Sequence, residues 1–242
     1  RPDVAMLTGL DADGNEISPS GHLVDTWVYD NFSSPAMQNM GNYEYWTNNG
    51  TKETEHHYYA YSEGIYVGYK YYETRYFDAV MGQGNAGDYA GQYGKEVAFT
   101  FGHGLSYTTF EYGQRFVEEG VDQHGEKCYN VSVTVTNTGD VAGKETVQIY
   151  LQSPYTEYDK QMGVEKAAVI LCGYSKTKLL APGESQTLTI SVPKREFASF
   201  DAYGYGTYIL EAGDYYLTAA KNAHDAVNNT LAVRGYTPEN TG

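Results

Sequence analysis

From residue 131 onward the chain alternates between apolar and polar positions. Val131, Val133 and Val135 are interleaved with Ser132, Thr134 and Thr136, the period-two pattern of a strand with one buried face. Val147, Ile149 and Leu151 repeat it against Thr146, Gln148, Tyr150 and Gln152. Leu188, Ile190 and Val192 do so against Thr187, Thr189 and Ser191. Residues 167–171 form a more continuous apolar run, and residues 206–210 and 215–220 complete the series. Asn137-Thr-Gly-Asp140, Pro182-Gly-Glu184 and Ala212-Gly-Asp214 supply turn chemistry between these segments.

Short strands separated by turns, with no helical period, predict a mainly β fold. The expected architecture is an antiparallel β-sandwich of fibronectin type III or immunoglobulin-like build, over residues 105–242. The first hundred residues show little periodicity. Residues 4–10 are apolar enough for a buried strand, Asp11-Ala-Asp-Gly-Asn15 reads as a turn, and a long polar, aromatic stretch runs to about Phe101. Such a loop-rich region buries too little apolar surface to stand alone. Residues 1–104 are therefore expected to be the end of a larger domain.

Composition narrows the ligand class. Among 242 residues, 16 are basic and 31 acidic, a net charge of −15, which disfavours nucleic acid and anionic membranes as partners and leaves neutral ligands open. The 26 Tyr, 8 Phe and 27 Gly suit strands and ordered loops rather than long helices. No apolar run approaches the ~20 residues that span a bilayer. Two cysteines, Cys128 and Cys172, make no disulfide framework. Cys128 shares the phase of Asn130, Ser132 and Thr134, so it is expected to face solvent. Sequons at Asn31, Asn49, Asn130 and Asn228 leave the compartment open.

Three segments, Pro19–Trp27, Glu63–Tyr72 and Phe101–Thr108, resemble stretches of family 3 glycoside hydrolases of the β-glucosidase type. Pro19-Ser-Gly-His-Leu-Val-Asp-Thr-Trp27 is similar to the Pro-Ser-Gly-Arg-Leu-Pro-x-Thr-Trp segment closing that family's α/β-sandwich domain. Glu63-Gly-Ile-Tyr-Val-Gly-Tyr-Lys-Tyr-Tyr72 resembles its Glu-Gly-x-x-Val-Gly-Tyr-Arg-Tyr segment. Phe101-Gly-His-Gly-Leu-Ser-Tyr-Thr108 resembles its Phe-Gly-x-Gly-Leu-Ser-Tyr-Thr junction, and Val135–Lys144 with Val147–Tyr150 its fibronectin-like domain. His22 stands where the family usually has Arg, and residues 11–16 depart from a Gly-rich approach. Gly21, Gly102 and Gly104 are expected to serve the backbone path and not chemistry.

The resemblance implies a retaining hydrolase of β-linked glucosides or oligosaccharides, needing two carboxyl groups about 5–5.5 Å apart. In the family the nucleophile is an Asp in a Ser-Asp-Trp-like motif on a separate barrel, and the acid/base precedes the Ser-Gly-Arg-Leu segment. Neither role transfers to a residue here, so no catalytic residue is assigned and the barrel is an expected missing partner. Glu53, Glu55, Glu63, Glu118 and Glu119 read as solvated acids. Glu53-Thr-Glu-His-His57 lacks the spacing that places two ligands on one helical face. Asp11–Asn15 fails as a calcium loop because His22 occupies its twelfth position. Ser20 and Ser106 lack a nucleophile elbow. No metal or cofactor is expected.

Aromatic rings are the remaining candidates. Trp27, Trp46, Tyr58, Tyr66 and Tyr69 either line a substrate subsite or pack between domains with their polar tips wet. Two functions stay open: the supporting end of a β-glucosidase-like enzyme, and a non-catalytic carbohydrate-binding or adhesive module.

Overall fold

A computed structural model describes Leu10, Gly14 and residues 18–237, with residues 42–45 and 53–55 described through their backbone. The expected strand at 4–10 and turn at 11–15 lie outside the described residues, apart from an exposed Leu10 and a Gly14 with φ of +82°.

The chain runs through β1 (Trp27–Val28), α1 (Pro35–Gln38), β2 (Met40–Trp46), β3 (Lys52–Tyr59), α2 (Tyr69–Met81), α3 (Tyr93–Glu96) and β4 (Val97–Phe99). There follow β5 (Phe110–Val121), β6 (Lys127–Asn137), β7 (Thr146–Gln152), α4 (Glu157–Met162), β8 (Ile170–Lys176) and β9 (Ser185–Pro193). Last come β10 (Ser199–Asp201), β11 (Thr207–Ile209), β12 (Tyr216–Ala220) and α5 (Ala223–Val233).

Two three-stranded antiparallel sheets, β5-β6-β9 and β12-β7-β8, form the predicted mainly β sandwich. The alternating residues face inward as expected: Val131, Val133, Val135, Val147, Ile149, Leu151, Leu188, Ile190 and Val192 are buried in one cluster with Leu180 and Phe197. The opposite phase of β6 does its own work. Ser132, Thr134 and Thr136 pair with Thr189, Thr187 and Ser185 on β9 through hydroxyl hydrogen bonds of 2.9, 2.9 and 2.7 Å.

Cys128 corrects an expectation. It is completely buried although it shares the outer phase, and both cysteines are free thiols. Its strand is flanked by β5 and β9, where its partners are Gly120 and Pro193, and its Sγ lies 3.6 Å from Asn130 Oδ1. A small side chain on a central strand is enclosed by what lies around it, here including Asn130, so phase alone does not set its exposure. Burial pushes the Cys172 thiol up to about 12.

A second correction concerns helices. Every residue of β7 from Val147 to Gln152 is buried, including the polar phase of Gln148, Tyr150 and Gln152. That face is covered by α5 and α2: Phe77, Tyr150, Ala168, Val169, Ala226, Val227 and Leu231 make one apolar cluster. Both helices carry a 3.6-residue stripe, Ala223, Ala226, Val227, Thr230 and Leu231 in α5 and Tyr72, Glu73, Tyr76 and Phe77 in α2. Gly68 and Gly82 bound α2, the latter left-handed at φ +65°. The Asn222 side chain accepts the Asp225 amide at 2.8 Å and starts α5. Most of the buried polar groups of β7 are paired: Gln148 Nε2 donates to Gly102 O (3.2 Å) and Lys221 O (2.7 Å), the Tyr150 hydroxyl to Gln148 Oε1 (2.7 Å), and Gln152 Nε2 to Ala168 O (2.8 Å), while Gln152 Oε1 has no protein partner.

The three family-like segments meet on one seam. The Leu23 amide donates to His103 O at 2.8 Å and the Gly102 amide to Leu23 O at 2.9 Å, while His22 Nδ1 lies 2.7 Å from Gly102 O. Ser18 and Ser106 hydroxyls are 2.6 Å apart, and the Tyr69 ring packs on Phe101 at 4.6 Å. Gly102 adopts φ +82°, and a Cβ there would run into the Gln148 amide; at Gly104 it would strike Gly21 O and His22. Close approach, not chemistry, accounts for both glycines.

Candidate functional site

The region ahead of the sandwich is where the candidate aromatic residues fall, and the fold places them in three settings. Trp27, 58% exposed, sits on β1 opposite Phe99 of β4. Trp46, 71% exposed, lies at the turn end of the β2–β3 hairpin opposite Lys52, and half-exposed Tyr58 sits at its base, across Gly41. These three are rim positions.

Tyr66 is a wall residue. It lines a cleft of about 330 Å³ shared with Thr26, Val28, Met37, Glu63 and Tyr71. The cleft is shaped by the 30–38 segment, where Asp30 Oδ1 accepts the Phe32 amide at 2.9 Å, Pro35 opens α1, and the Ser33 and Tyr72 hydroxyls lie 2.9 Å apart. Two buried oxygens on its lining, Thr26 Oγ1 and Glu63 Oε2, have no protein partner. Unpaired buried oxygens are costly, and a hydroxyl-bearing ligand or water entering the cleft would satisfy them. Tyr66 also borders a second cleft of about 500 Å³ with Asp78, Gln83, Lys166 and Arg234. Its hydroxyl donates to Lys166 O at 3.5 Å and is pushed up to about 12, first by burial and then by the Glu165 charge. Burial likewise raises the Asp78 carboxyl, against the Gln83 amide that donates to it at 2.8 Å.

Tyr69 is interior. Its hydroxyl accepts the Leu171 amide at 3.0 Å, its ring meets Tyr150 edge-on at 6.3 Å, and burial raises its pKa. Its contacts tie α2 to the sandwich. The five rings are thus distributed over rim, cleft wall and interior.

A buried polar cluster lies apart from the candidate rings. Glu73, completely buried in α2, accepts the Tyr93 hydroxyl at 2.5 Å on Oε1, and His224 Nδ1 lies 2.9 Å from Oε2. The His224 ring stacks on Tyr93 at 4.1 Å and 15°, with Tyr76 at 4.7 Å. Burial, then the Glu73 charge, drives the Tyr93 hydroxyl far above its ordinary range. Shielded from solvent, the Glu73 side chain braces α2, α3 and α5 together. Its signal in the sequence is a Glu inside the apolar stripe of α2, beside Tyr72, Tyr76 and Phe77.

The side chains of Glu53 and Glu55 lie outside the described residues. Among the described residues, no group of three or more His, Cys, Asp or Glu side chains is placed to hold a metal ion, and no helix is long and apolar enough to cross a membrane.

Comparison with known proteins follows the same lines. A family model for fibronectin type III-like domains matches residues 145–223. The chain is 36% identical over 217 residues to a β-glucosidase of Ruminococcus albus, covering 87% of this chain and 18% of that protein. Among solved structures, it is similar to a β-glucosidase from Paenibacillus barengoltzii (34% identity, TM-score 0.64, 86% of this chain and 19% of that one). It is also similar to the GH3 β-glucosidase of Bifidobacterium adolescentis (30% identity, TM-score 0.61, 86% of this chain and 24% of that one). The chain thus spans only 18% of the length of the curated R. albus relative.

Proposed function

Because the chain is homologous, along nearly its whole length, to the fibronectin type III-bearing part of family 3 β-glucosidases, we propose that it is the supporting end of a β-glucosidase-like hydrolase. The complete protein would hydrolyse O-glycosyl bonds of β-linked glucosides or oligosaccharides. The nucleophile and the acid/base would come from a barrel and from an α/β-sandwich region beyond this stretch. Residues 1–104 would be the closing part of that α/β-sandwich domain, and 105–242 the fibronectin type III-like domain.

The observation that carries this reading is the seam. All three family-like segments serve to join the leading residues to the sandwich, through the Leu23–His103 and Gly102–Leu23 hydrogen bonds and the Tyr69–Phe101 contact. The exposed rings ahead of it then have a use. Trp27, Trp46, Tyr58 and the Tyr66 cleft would meet the catalytic portion or border its substrate, since Trp and Tyr offer an apolar face with a polar edge. Tyr69 would hold α2 in place behind them.

The test is hydrolysis of a chromogenic β-glucoside by the purified 242-residue chain. Release of the chromophore at the rate of the blank is expected. Enzyme-like turnover that persists through repeated purification would overturn the claim that the reacting carboxylates lie elsewhere.

A further inference from the structure

One hairpin carries features that the supporting role does not use. β10 and β11 pair with Phe200 opposite Tyr208, and the loop between them reads Ala202-Tyr-Gly-Tyr-Gly206. Tyr203, Tyr205 and Tyr208 are 79%, 74% and 71% exposed. Yet the loop is held firmly from within. Asp201, fully buried, accepts the Gly204 amide at 2.7 Å and the Tyr203 amide at 3.3 Å on Oδ1. Its Oδ2 accepts the Tyr205 amide at 2.8 Å and the Tyr158 hydroxyl at 2.6 Å. Gly204 is obligatory, because a Cβ would collide with the Tyr158 hydroxyl and the Asp201 carboxylate.

The support extends into α4. The Tyr158 ring stacks against Tyr205 at 5.9 Å and 25°, and Tyr203 leans over Gly163, the left-handed cap of α4. The helix is itself anchored. Thr156 and Asp159 cap it reciprocally, Lys166 Nζ lies 2.6 Å from Asp159 Oδ2, and the same ammonium pairs with Glu211 beyond β11. Buried ions carry a desolvation cost and ordered glycines an entropic one. Neither is offset within this chain by burying the tyrosines, which it leaves exposed. The outcome is a set of aromatic rings fixed in position before anything binds.

A Tyr ring presents a flat apolar face with a hydroxyl at its rim, and a fixed ring loses little freedom on binding. Residues 199–210 contain no Lys or Arg, and the chain carries a charge of −15, so an anionic ligand is disfavoured. The matching ligand is neutral, with apolar faces edged by hydroxyls. We propose that the β10–β11 hairpin is a surface site for a neutral oligo- or polysaccharide, stacked on Tyr203 and Tyr205 with Tyr208 alongside. The site needs only this chain, so its failure would leave the supporting role untouched.

The experiment is affinity electrophoresis of the 242-residue chain in gels containing soluble β-glucan or xylan, with calorimetric titration of the matching oligosaccharides. Retardation by at least one of these neutral polymers is expected. Tyr203→Ala and Tyr205→Ala are each expected to weaken binding by roughly two- to tenfold. Asp201→Asn should weaken it with all three rings present, by loosening the loop, while the exposed control Tyr174→Ala should not. Absence of retardation by either polymer, or equal retardation of the Tyr203→Ala/Tyr205→Ala double variant, would overturn the proposal. Both rings are exposed, so the double variant should keep its fold, verified by its melting temperature, and it decides the matter even if Asp201→Asn does not fold.

Discussion

The sandwich interior and the Tyr-rich region ahead of it bury their apolar groups by different means. Between the sheets, Val133, Val135, Val147, Ile149 and Leu180 are fully covered by one another, with no polar atom in their side chains. Ahead of the sandwich the buried cluster is Tyr72, Tyr89, Tyr93, Ala86 and Val97, and its hydroxyls must each find a partner: Tyr72 with Ser33, Tyr89 with Glu96, Tyr93 with Glu73. Around that cluster stand Val24, Trp27, Tyr29, Phe32, Trp46 and Tyr61, all more than half exposed. A core of branched aliphatics closes on itself. One of tyrosines depends on polar neighbours and leaves amphipathic surface for something else to cover.

That contrast can be broken by measurement. The largest effect is expected inside the sandwich: Ile149→Ala should cost about 4 kcal/mol in urea unfolding, because the surrounding strands cannot collapse around the cavity. A loss under about 1 kcal/mol would mean that the sheets are loosely packed. Next, Glu73→Ala should cost about 3 kcal/mol by stranding Tyr93 and His224. Hydrogen exchange should show protection falling in α2 and α5 while β6 and β9 keep theirs. Loss spread evenly over both sheets would deny the two regions their separate means of support.

Gly102→Ala probes the seam itself. Its left-handed φ and the Gln148 amide in the path of a Cβ predict a loss of about 2 kcal/mol, read as a lowered melting temperature. A smaller, pH-dependent effect is expected at Glu145, whose carboxyl is raised by burial against the Tyr112 hydroxyl that donates to it at 2.9 Å. A carboxyl raised on folding contributes stability below its ordinary pKa and loses it as pH climbs through the raised value. Relative to Glu145→Gln, the native chain should therefore lose stability as pH rises from the ordinary carboxylate range toward neutrality. A difference that stays flat with pH would remove this role. The smallest effect is at the rim, where Trp46→Ala should change the stability of this chain by less than about 0.5 kcal/mol.

The sandwich was legible in the sequence because a period of two in β-branched residues has few other interpretations, and residues 131–135 and 188–192 obey it. The helices were not. In α2 the apolar stripe is written in tyrosines, with Glu73 among them, so it reads as a polar aromatic loop. In α5 two alanines and a threonine share the stripe with only Val227 and Leu231, so its apolar signal is weak. Glu73 draws no notice in the sequence, because only the helix turns it inward. Residue type marks Tyr69 and Trp46 alike, though Tyr69 at the start of α2 packs on Phe101 and Tyr150 while Trp46 stands in water.

What the sequence by itself determined is therefore the strands around 131–136, 147–151 and 188–192, their inward phase, the turns beside them and the family-like segments at 19–27, 63–72 and 101–108. These are local facts, fixed by side-chain alternation and backbone freedom within a few residues. β5, the β2–β3 hairpin and the true span of β8 (Ile170–Lys176, against an apolar run at 167–171) were not legible. Only the tertiary structure decided that β7 is covered on both faces, that Cys128 is enclosed, that Glu73 meets His224 across 151 residues, and that Asp201 holds the loop carrying the exposed Tyr203 and Tyr205. Each of those depends on which surfaces come to lie against one another, and burial belongs to the pair of surfaces and not to either segment alone.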